Sequence, residues 1–318
     1  MSFTKESNLF QKRGNLLQRG TKMFDIVYNP VAGKGKALKA LAVIEAEFNA
    51  RGITYRKHES THQGGAREAT EQAIASGAKN ILAMGGDGTL HEVINGFSNF
   101  ENVNLAIIPC GTGNDFASSL GISEKVEEAI THVMEGAPTY VDYLELPFCR
   151  GINVASYGID VDVLRRYAKK KNKTKGAYMA SLISSILHYK KPYTFTAEIN
   201  GEREEHAGFI AAAGNGKRFG GSIYICPEAN PYDGMLDIVT VDNVKKLGIP
   251  GAFITLMKKK ILQYKKTKFT RAESLRVTTG SPMVVNVDGE LYDADEFSVK
   301  VVHNALRVWL KRPEPTKA

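Results

Sequence analysis

Long apolar runs, paired cysteines and tryptophan are scarce in this chain of 318 residues. No run of about 18 apolar residues occurs, so no transmembrane helix is expected. The N-terminal "MSFTKESNLFQKRGNLLQRGTK" is basic but lacks the apolar stretch of a signal peptide. Cys110, Cys149 and Cys226 lie far apart, with neither metal spacing nor a disulfide pattern, which makes a reducing cytoplasm the default location. Acid is short as well: 34 Asp and Glu against 42 Lys and Arg leave a net charge of +8. A basic surface attracts polyanions such as nucleic acid, anionic membrane or phosphorylated substrates.

Several catalytic signatures are missing too. "AGKGKA" does not spell a Walker A loop, and "GKGKAL" lacks the third glycine of a dinucleotide fingerprint. "HEVIN" puts Asn95 where a zincin needs its second histidine, and no G-x-S-x-G elbow occurs. His58 and His62, at a strand–loop boundary, read as a solvated pair. The basic runs carry no RNA-binding aromatic signature and no DNA-reading motif, which ranks nucleic acid last among the partners.

What is present begins at Met23. Residues 1–22 show no clear period and read as a disordered or loosely helical leader, with Met23 an alternative natural start. From there "MFDIVY", "ITYRKHE", "NILAM" and "NLAIIP" read as strands. "KALKALAVIEAEFNARG", "GAREATEQAIASG", "TLHEVINGF" and "NDFASSL" read as helices between and after them. This alternation predicts a parallel sheet with helices on its faces, whose ligands sit beyond the carboxyl ends of the strands. "NPVAGKG", "GGDGT" and "PCGTGND" all fall there; one tight turn would be unremarkable, but three on one edge favour a shared site. After about Leu146 short strand-like runs follow, with "NG" at 200–201 and "DG" at 288–289 among the turns, and predict an all-β second domain. Two helical stretches interrupt it, at 176–189 and 246–260.

Glycine lets a backbone approach a ligand closely, and amides at a helix start bind anions, so "GGDGT" suits a nucleotide phosphate. A carboxylate there repels phosphate unless a cation intervenes, so Asp87 points to Mg²⁺. The competing reading is an Asp that caps the helix beginning near Thr89.

"NPVAGKGKA", "GGDGTLHEVINGF" and "IIPCGTGNDFA" together resemble the catalytic domain of the diacylglycerol kinase family, which includes soluble bacterial lipid kinases and, more distantly, sphingosine and ceramide kinases. "NVASYGID", "GNGKRFGGSIYICPEANPYDGMLDI" and "VNVDGE" resemble that family's β-domain. "GGDGT" alone is shared with NAD kinases and phosphofructokinases; "GTGNDFA" and "PEANPYDGMLDI" are far more specific. The resemblance implies an α/β, NAD kinase-like nucleotide-binding domain at 23–146, a β-sandwich-like domain at 147–312 and a tail at 313–318, with the nucleotide between the domains. It carries ATP contacts onto Asn29, Pro30, Val31, Ala32 and Gly33, onto Gly86, Asp87, Gly88, Thr89, Leu90, His91 and Glu92, and onto Thr112. Thr61 matches a further contact, with Ser60 competing for the place, and His91 stands where the family often has Asn. The catalytic carboxylates match Asp288 and Glu290 of "VDGE", with Glu290 first as the base and Asp87 acting through Mg²⁺. Without the resemblance, "VDGE" reads as a hairpin turn with solvated charges. "NPYDGM" would bind a structural Mg²⁺ through the Asp233 side chain and the carbonyls of Asn230 and Met235.

The expected activity is ATP- and Mg²⁺-dependent phosphorylation of a lipid hydroxyl, diacylglycerol first, at an anionic membrane surface by a cytoplasmic, peripherally attached protein. A homodimer stays open. The alternative is an NAD kinase-like or other small-molecule kinase on the same nucleotide fold; a non-catalytic regulator is disfavoured by the retained Asp87, Asp288 and Glu290. The basic runs at 165–175 and 258–271, each beside an apolar helical stretch, mark the surface expected to meet the membrane.

Overall fold

The computed structural model describes residues 22–98, 100–244 and 248–311; the leader expected at 1–22, apart from Lys22, and the tail at 313–318 lie outside them. The first half alternates as its apolar pattern predicts. Strands β1 (Met23–Tyr28), β2 (Thr54–Glu59), β3 (Asn80–Gly85) and β4 (Asn104–Pro109) pair in parallel in the order β2–β1–β3–β4. β3 is buried at every position, as a central strand covered on both faces must be. Helix α1 (Lys36–Ala50) turns Ala37, Ala40, Leu41, Ile44 and Phe48 towards the sheet at helical spacing. Helices α2 (Gly65–Ala75) and α3 (Asp87–Asn95) follow β2 and β3, and the short α4 (Asp115–Ser119) follows β4. Helix α5 (Val126–Glu135) and strand β5 (Ala137–Glu145) complete this half; neither stood out in the sequence.

The second half is strand-rich. Strands β6 (Arg150–Gly151) and β7 (Val154–Gly158) lead into helix α6 (Ile159–Ala168) and helix α7 (Lys175–Leu187). Strands β8 (Tyr193–Ile199), β9 (Glu202–Gly214) and β10 (Leu236–Asp242) are followed by helix α8 (Ile249–Met257) and strands β11 (Thr267–Ala272), β12 (Ser274–Val287) and β13 (Glu290–Leu310). Helix α6 is not expected from the sequence: Gly158 (φ 140°) turns the chain from strand to helix without a spacer. Strand β11 likewise overlaps the end of the basic run 258–271, whose Lys and Arg residues mask the strand. "SLRVTT" and "MVVNV" are one strand with a register shift between Thr278 and Met283.

The last strand joins the halves. Residues 290–300 of β13 pair antiparallel with β12, residues 300–310 pair antiparallel with β5, and Arg307 and Val308 run parallel beside β4. One sheet therefore runs from β2 to β11. Leu306, Val308, Trp309 and Leu310 belong to the same core as Phe24 and Phe48. The halves divided at 146 and 147 in the sequence thus share a strand, and the β12–β13 turn projects towards the carboxyl ends of β3 and β4.

Candidate active site

A cleft of about 730 Å³ opens between the halves. Asp87, Gly88, Thr112, Gly113 and Asp115 line one side, and Asn153, Lys173, Asp288 and Glu290 line the other. The loops after β3 and β4 meet backbone to backbone at its floor. A Cβ on Gly111 would lie 2.4 Å from Gly86 Cα, so this crossing tolerates no side chain.

Asp87 ties those loops together. Its Oδ2 accepts from the Asn114 amide at 2.8 Å and its Oδ1 from the Asp115 amide at 2.6 Å. It is the first residue of α3 and sends its carboxylate to the start of α4, so it is no cap for its own helix. Burial pushes its carboxyl up against these two amides, and the charge of Asp288 pushes the same way. Asp115, beside it, is pushed up to about 7 by burial and by the charge of Asp87. The Gly221 amide and Arg218, 2.9 Å away, offset part of that. Two desolvated carboxyls side by side fit a site that receives positive charge. Among the described residues no three acidic, histidine or cysteine side chains converge enough to enclose a metal by themselves. A Mg²⁺ ion here would therefore be shared between one or two of these carboxylates and substrate phosphates, its usual habit.

Asp288 is the first residue of a two-residue hairpin turn, and Glu290 follows it directly. Val287 pairs with Glu290 across Asp288 (φ 55°) and Gly289 (φ 99°), both left-handed, as this tight turn requires. The turn folds Asp288 back onto the chain. Its Oδ2 accepts from the Ile152 amide at 2.8 Å, and its Oδ1 from the amides of Asn153 at 2.9 Å and Val154 at 3.1 Å. His91 Nδ1 stands 3.3 Å from the same carboxylate. Glu290 starts β13 across from Gly88, and a Cβ on that glycine would come 3.3 Å from Glu290 Oε1. Burial raises the Glu290 carboxyl above its ordinary range, against the nearby His91, with Glu92 and Asp288 adding to the rise. The two carboxylates differ in kind: both line the cleft, but Asp288 is tied to three backbone amides.

Other expected contacts are dispersed. Leu90 and Thr112 reach the cleft. His91 is buried, and its Nε2 lies within hydrogen-bond distance of the Tyr292 hydroxyl at 2.7 Å. Glu92 accepts from the amides of Gly64 and Ala66 at 2.9 and 3.0 Å, capping α2. Thr89 packs against Gly85. Thr61 is exposed, two residues before Gln63 on the cleft wall. Asn29, Pro30, Val31, Ala32 and Gly33 form a turn after β1, with Asn29 Oδ1 accepting from the Val31 amide at 3.1 Å and Gly33 against the Cys110 carbonyl. Asn230, Asp233 and Met235 lie far along the chain in an exposed turn, where Asp233 Oδ1 accepts from the Met235 amide at 3.1 Å. The buried Asp142 holds that turn through the Gly234 amide at 2.7 Å and also accepts from His303 at 2.9 Å. The oxygen donors of the turn suit a hard cation such as Mg²⁺.

Sequence reasoning missed Asp115, Arg218 and the lysines at 173 and 175. Asp115 sits in the quoted "GTGND" and was passed over because it opens a helix, where Asp is ordinary. Lys173 and Lys175 belong to the basic run 165–175 that the sequence assigns to the membrane-facing surface. The Lys173 carbonyl instead accepts from the Thr112 hydroxyl at 3.3 Å, closing one end of the cleft.

Comparison with known proteins agrees with this layout. Residues 24–146 match the diacylglycerol kinase catalytic domain, and residues 153–310 match the YegS C-terminal NAD kinase beta sandwich-like domain. A relative named "Probable lipid kinase YegS-like" from Alcanivorax borkumensis is 30% identical over 79% of this chain and 85% of its own. One of the same name from Xanthomonas axonopodis pv. citri is 30% identical over 87% of this chain and 94% of its own. A crystal structure of a Bacillus anthracis protein carrying a diacylglycerol kinase name superposes with a TM-score of 0.74 at 25% identity, covering 92% of this chain and 98% of that one. A two-part α/β and strand-rich architecture, a glycine-walled acidic cleft and these relatives lead to one conclusion: the chain belongs to the diacylglycerol kinase family of lipid kinases, enzymes that transfer phosphate to an alcohol.

Proposed function

We propose that this lipid kinase moves the γ-phosphate of ATP to the hydroxyl of diacylglycerol, with Mg²⁺ in the cleft. The observation that carries the reading is Glu290: a half-buried carboxylate, raised by burial, facing the amide-rich loops after β3 and β4. A base poised above its ordinary range can take the proton that an alcohol loses as it attacks phosphorus. Asp288, wrapped in amides, fixes the turn that presents Glu290. Asp87, with Asp115, would share the Mg²⁺, which neutralises charge on the transferring phosphoryl group. The amides around Gly86–Gly88 and Thr112 would face the phosphates. Asn29–Gly33 and Thr61 are assigned to the outer wall of the nucleotide site. A second Mg²⁺ at Asn230, Asp233 and Met235 would brace the turn held by Asp142.

The enzyme would work at the surface of an anionic membrane. No helix among the described residues is long and apolar enough to cross one. Lys169, Lys170 and Lys171 follow α6 and Lys258, Lys259 and Lys260 follow α8, all exposed, and Ile183 and Leu187 on α7 and Ile254 on α8 are exposed apolar side chains. An apolar patch with a cationic rim fits interfacial binding, each cation contributing about 1 kcal/mol at low salt.

The test is an acceptor panel: diacylglycerol, a monoacylglycerol, a sphingoid base, phosphatidylglycerol and NAD, each with ATP, with and without EDTA. Phosphatidic acid as the dominant, EDTA-sensitive product supports the reading. Phosphorylated NAD with no phosphorylated lipid refutes it.

A further inference from the structure

A set of polar side chains packed behind the Asp288–Glu290 turn has no part in the chemistry described so far: His91, Asn95, Tyr292 and Cys149. His91 and Asn95 stand one turn apart on α3, the helix that opens on Asp87. His91 is only 3% exposed, and its two ring nitrogens reach two places in the strand-rich half. Nδ1 lies 3.3 Å from Asp288 Oδ2, and Nε2 lies 2.7 Å from the Tyr292 hydroxyl. Asn95 ties the same helix to the same half. Its Nδ2 donates to the Arg150 carbonyl at 2.9 Å, and its Oδ1 accepts from the Arg150 amide at 2.8 Å.

Asp288 decides how the imidazole is used. Its carboxylate accepts from three backbone amides and offers His91 only a further acceptor, so Nδ1 is the donor. In the neutral ring a hydrogen on Nδ1 leaves a lone pair on Nε2, and the Tyr292 hydroxyl donates to it. That hydroxyl keeps its hydrogen. Burial holds it well above the ordinary tyrosine range, with Cys149 and the charges of Glu290 and Asp288 adding to the rise. The Cys149 thiol bonds with the same hydroxyl, and the Phe148 ring packs 5.1 Å from the Tyr292 ring. Glu290 lies between the two gripped residues, two after Asp288 and two before Tyr292. One imidazole therefore fixes the chain on both sides of Glu290.

We propose that His91 is a positioning residue for phosphoryl transfer, holding Asp288 and Tyr292 at opposite edges of its ring so that Glu290 keeps its place relative to Asp87. The inference rests on the reading of Glu290 as the base and adds the residue that sets its position. His91 is four residues from Asp87 on α3, so the carboxylate at the phosphate loop and the base are both referred to one rigid helix. Transfer needs base, attacking oxygen and phosphorus in register, and a misplacement of about 1 Å can cost about 10²-fold in rate. His91 and Tyr292 lie behind the cleft wall rather than on it, so their loss acts on the reaction and not on substrate binding.

The test compares full-length variants for kcat, the KM values for ATP and diacylglycerol, and melting temperature, with Glu290→Gln alongside. Tyr292→Phe keeps the ring against Phe148 and removes only the hydroxyl. His91→Leu removes both hydrogen bonds, and His91→Gln places a carbonyl oxygen near the position of Nε2. Tyr292→Phe and His91→Leu should each lower kcat by about 10–10²-fold, with both KM values within about twofold of wild type. His91→Gln should recover most of the loss. The double variant of His91→Leu with Tyr292→Phe should be no slower than the slower single variant, because the two side chains share one bond. If His91→Leu does not fold, Tyr292→Phe and His91→Gln decide the matter. Near-normal kcat in Tyr292→Phe and His91→Leu, or a raised KM with kcat intact, beside an inactive Glu290→Gln, overturns the positioning role and leaves the base in place. Near-normal turnover in Glu290→Gln overturns the base itself. If wild type does not phosphorylate diacylglycerol, that acceptor falls, and the same comparison is decided on the alcohol that it does phosphorylate.

Discussion

Replacing Asp288 and Glu290 one at a time should separate a carboxylate that builds the site from one that reacts. Asp288→Asn keeps one oxygen, which can still accept from the amides of Asn153 and Val154. Its new NH₂ group then faces the Ile152 amide, 2.8 Å from the oxygen it replaces. A hydrogen bond to a charged group is lost and two donors are set against each other in a buried place. Such bonds are worth about 1.5–3 kcal/mol, so a loss of roughly 2–4 kcal/mol is expected, equivalent to roughly 3–6 °C in melting temperature for a chain of this size. Glu290→Gln removes a carboxylate for which no hydrogen bond of this kind stands in the way. Its charged form is already penalised by burial. The Gln variant should therefore melt at or above the wild-type temperature near pH 8, while turnover drops by about 10²–10⁴-fold. Thermal melts and steady-state kinetics on the same preparations decide it. The reasoning is refuted if Asp288→Asn melts like wild type, or if Glu290→Gln retains near-normal turnover.

Four further outcomes follow from the same geometry. Asp87→Asn should lower turnover, shift its Mg²⁺ requirement and loosen the crossing of Gly86 and Gly111; a change in stability with unaltered kinetics would reduce Asp87 to a structural tie. Asp115, held near 7 against an unfolded value of about 3.9, binds a proton in the folded protein that the unfolded chain releases. That stabilisation is complete below about pH 4 and is lost as pH rises towards 7, so melting temperature should fall between pH 5 and pH 8, less steeply in Asp115→Asn; equal slopes would contradict the assignment. Asp233→Ala should abolish any rise in melting temperature on adding Mg²⁺ if the 230–235 turn holds the ion, and an unchanged response would leave it a plain turn. Changing Lys169, Lys170 and Lys171 to Gln should weaken sedimentation with anionic vesicles in a salt-sensitive way, whereas equal binding to neutral vesicles would remove the electrostatic docking.

Much of the architecture could be read locally. The strands of the first half are short apolar runs between helical periods, and Asn200-Gly201 and Asp288-Gly289 both close hairpins, since left-handed turns leave a clear residue signature. What could not be read was long-range. Nothing near residue 300 announces that β13 will cross to β4, because pairing at that separation depends on the whole core and not on neighbours. The bends at Thr278–Met283 and Val302–Leu306 looked like strand ends because irregular backbone and a true turn use the same residues. At the site, spacing identified the loops but not the direction of each side chain. Glu92 looked like part of the phosphate loop and caps α2; Asp288 looked like half of a catalytic pair and is bound by three amides.

The central claim is that the acidic cleft passes phosphate from ATP to a lipid alcohol. Labelled ATP, Mg²⁺ and the purified protein, incubated with a total lipid extract and a soluble metabolite fraction in one vessel, test it most directly once each labelled product is identified by mass. The account predicts label in phosphatidic acid, dependent on Mg²⁺ and lost in Glu290→Gln. Label confined to NADP or a sugar phosphate, with none in the lipid phase, would contradict it.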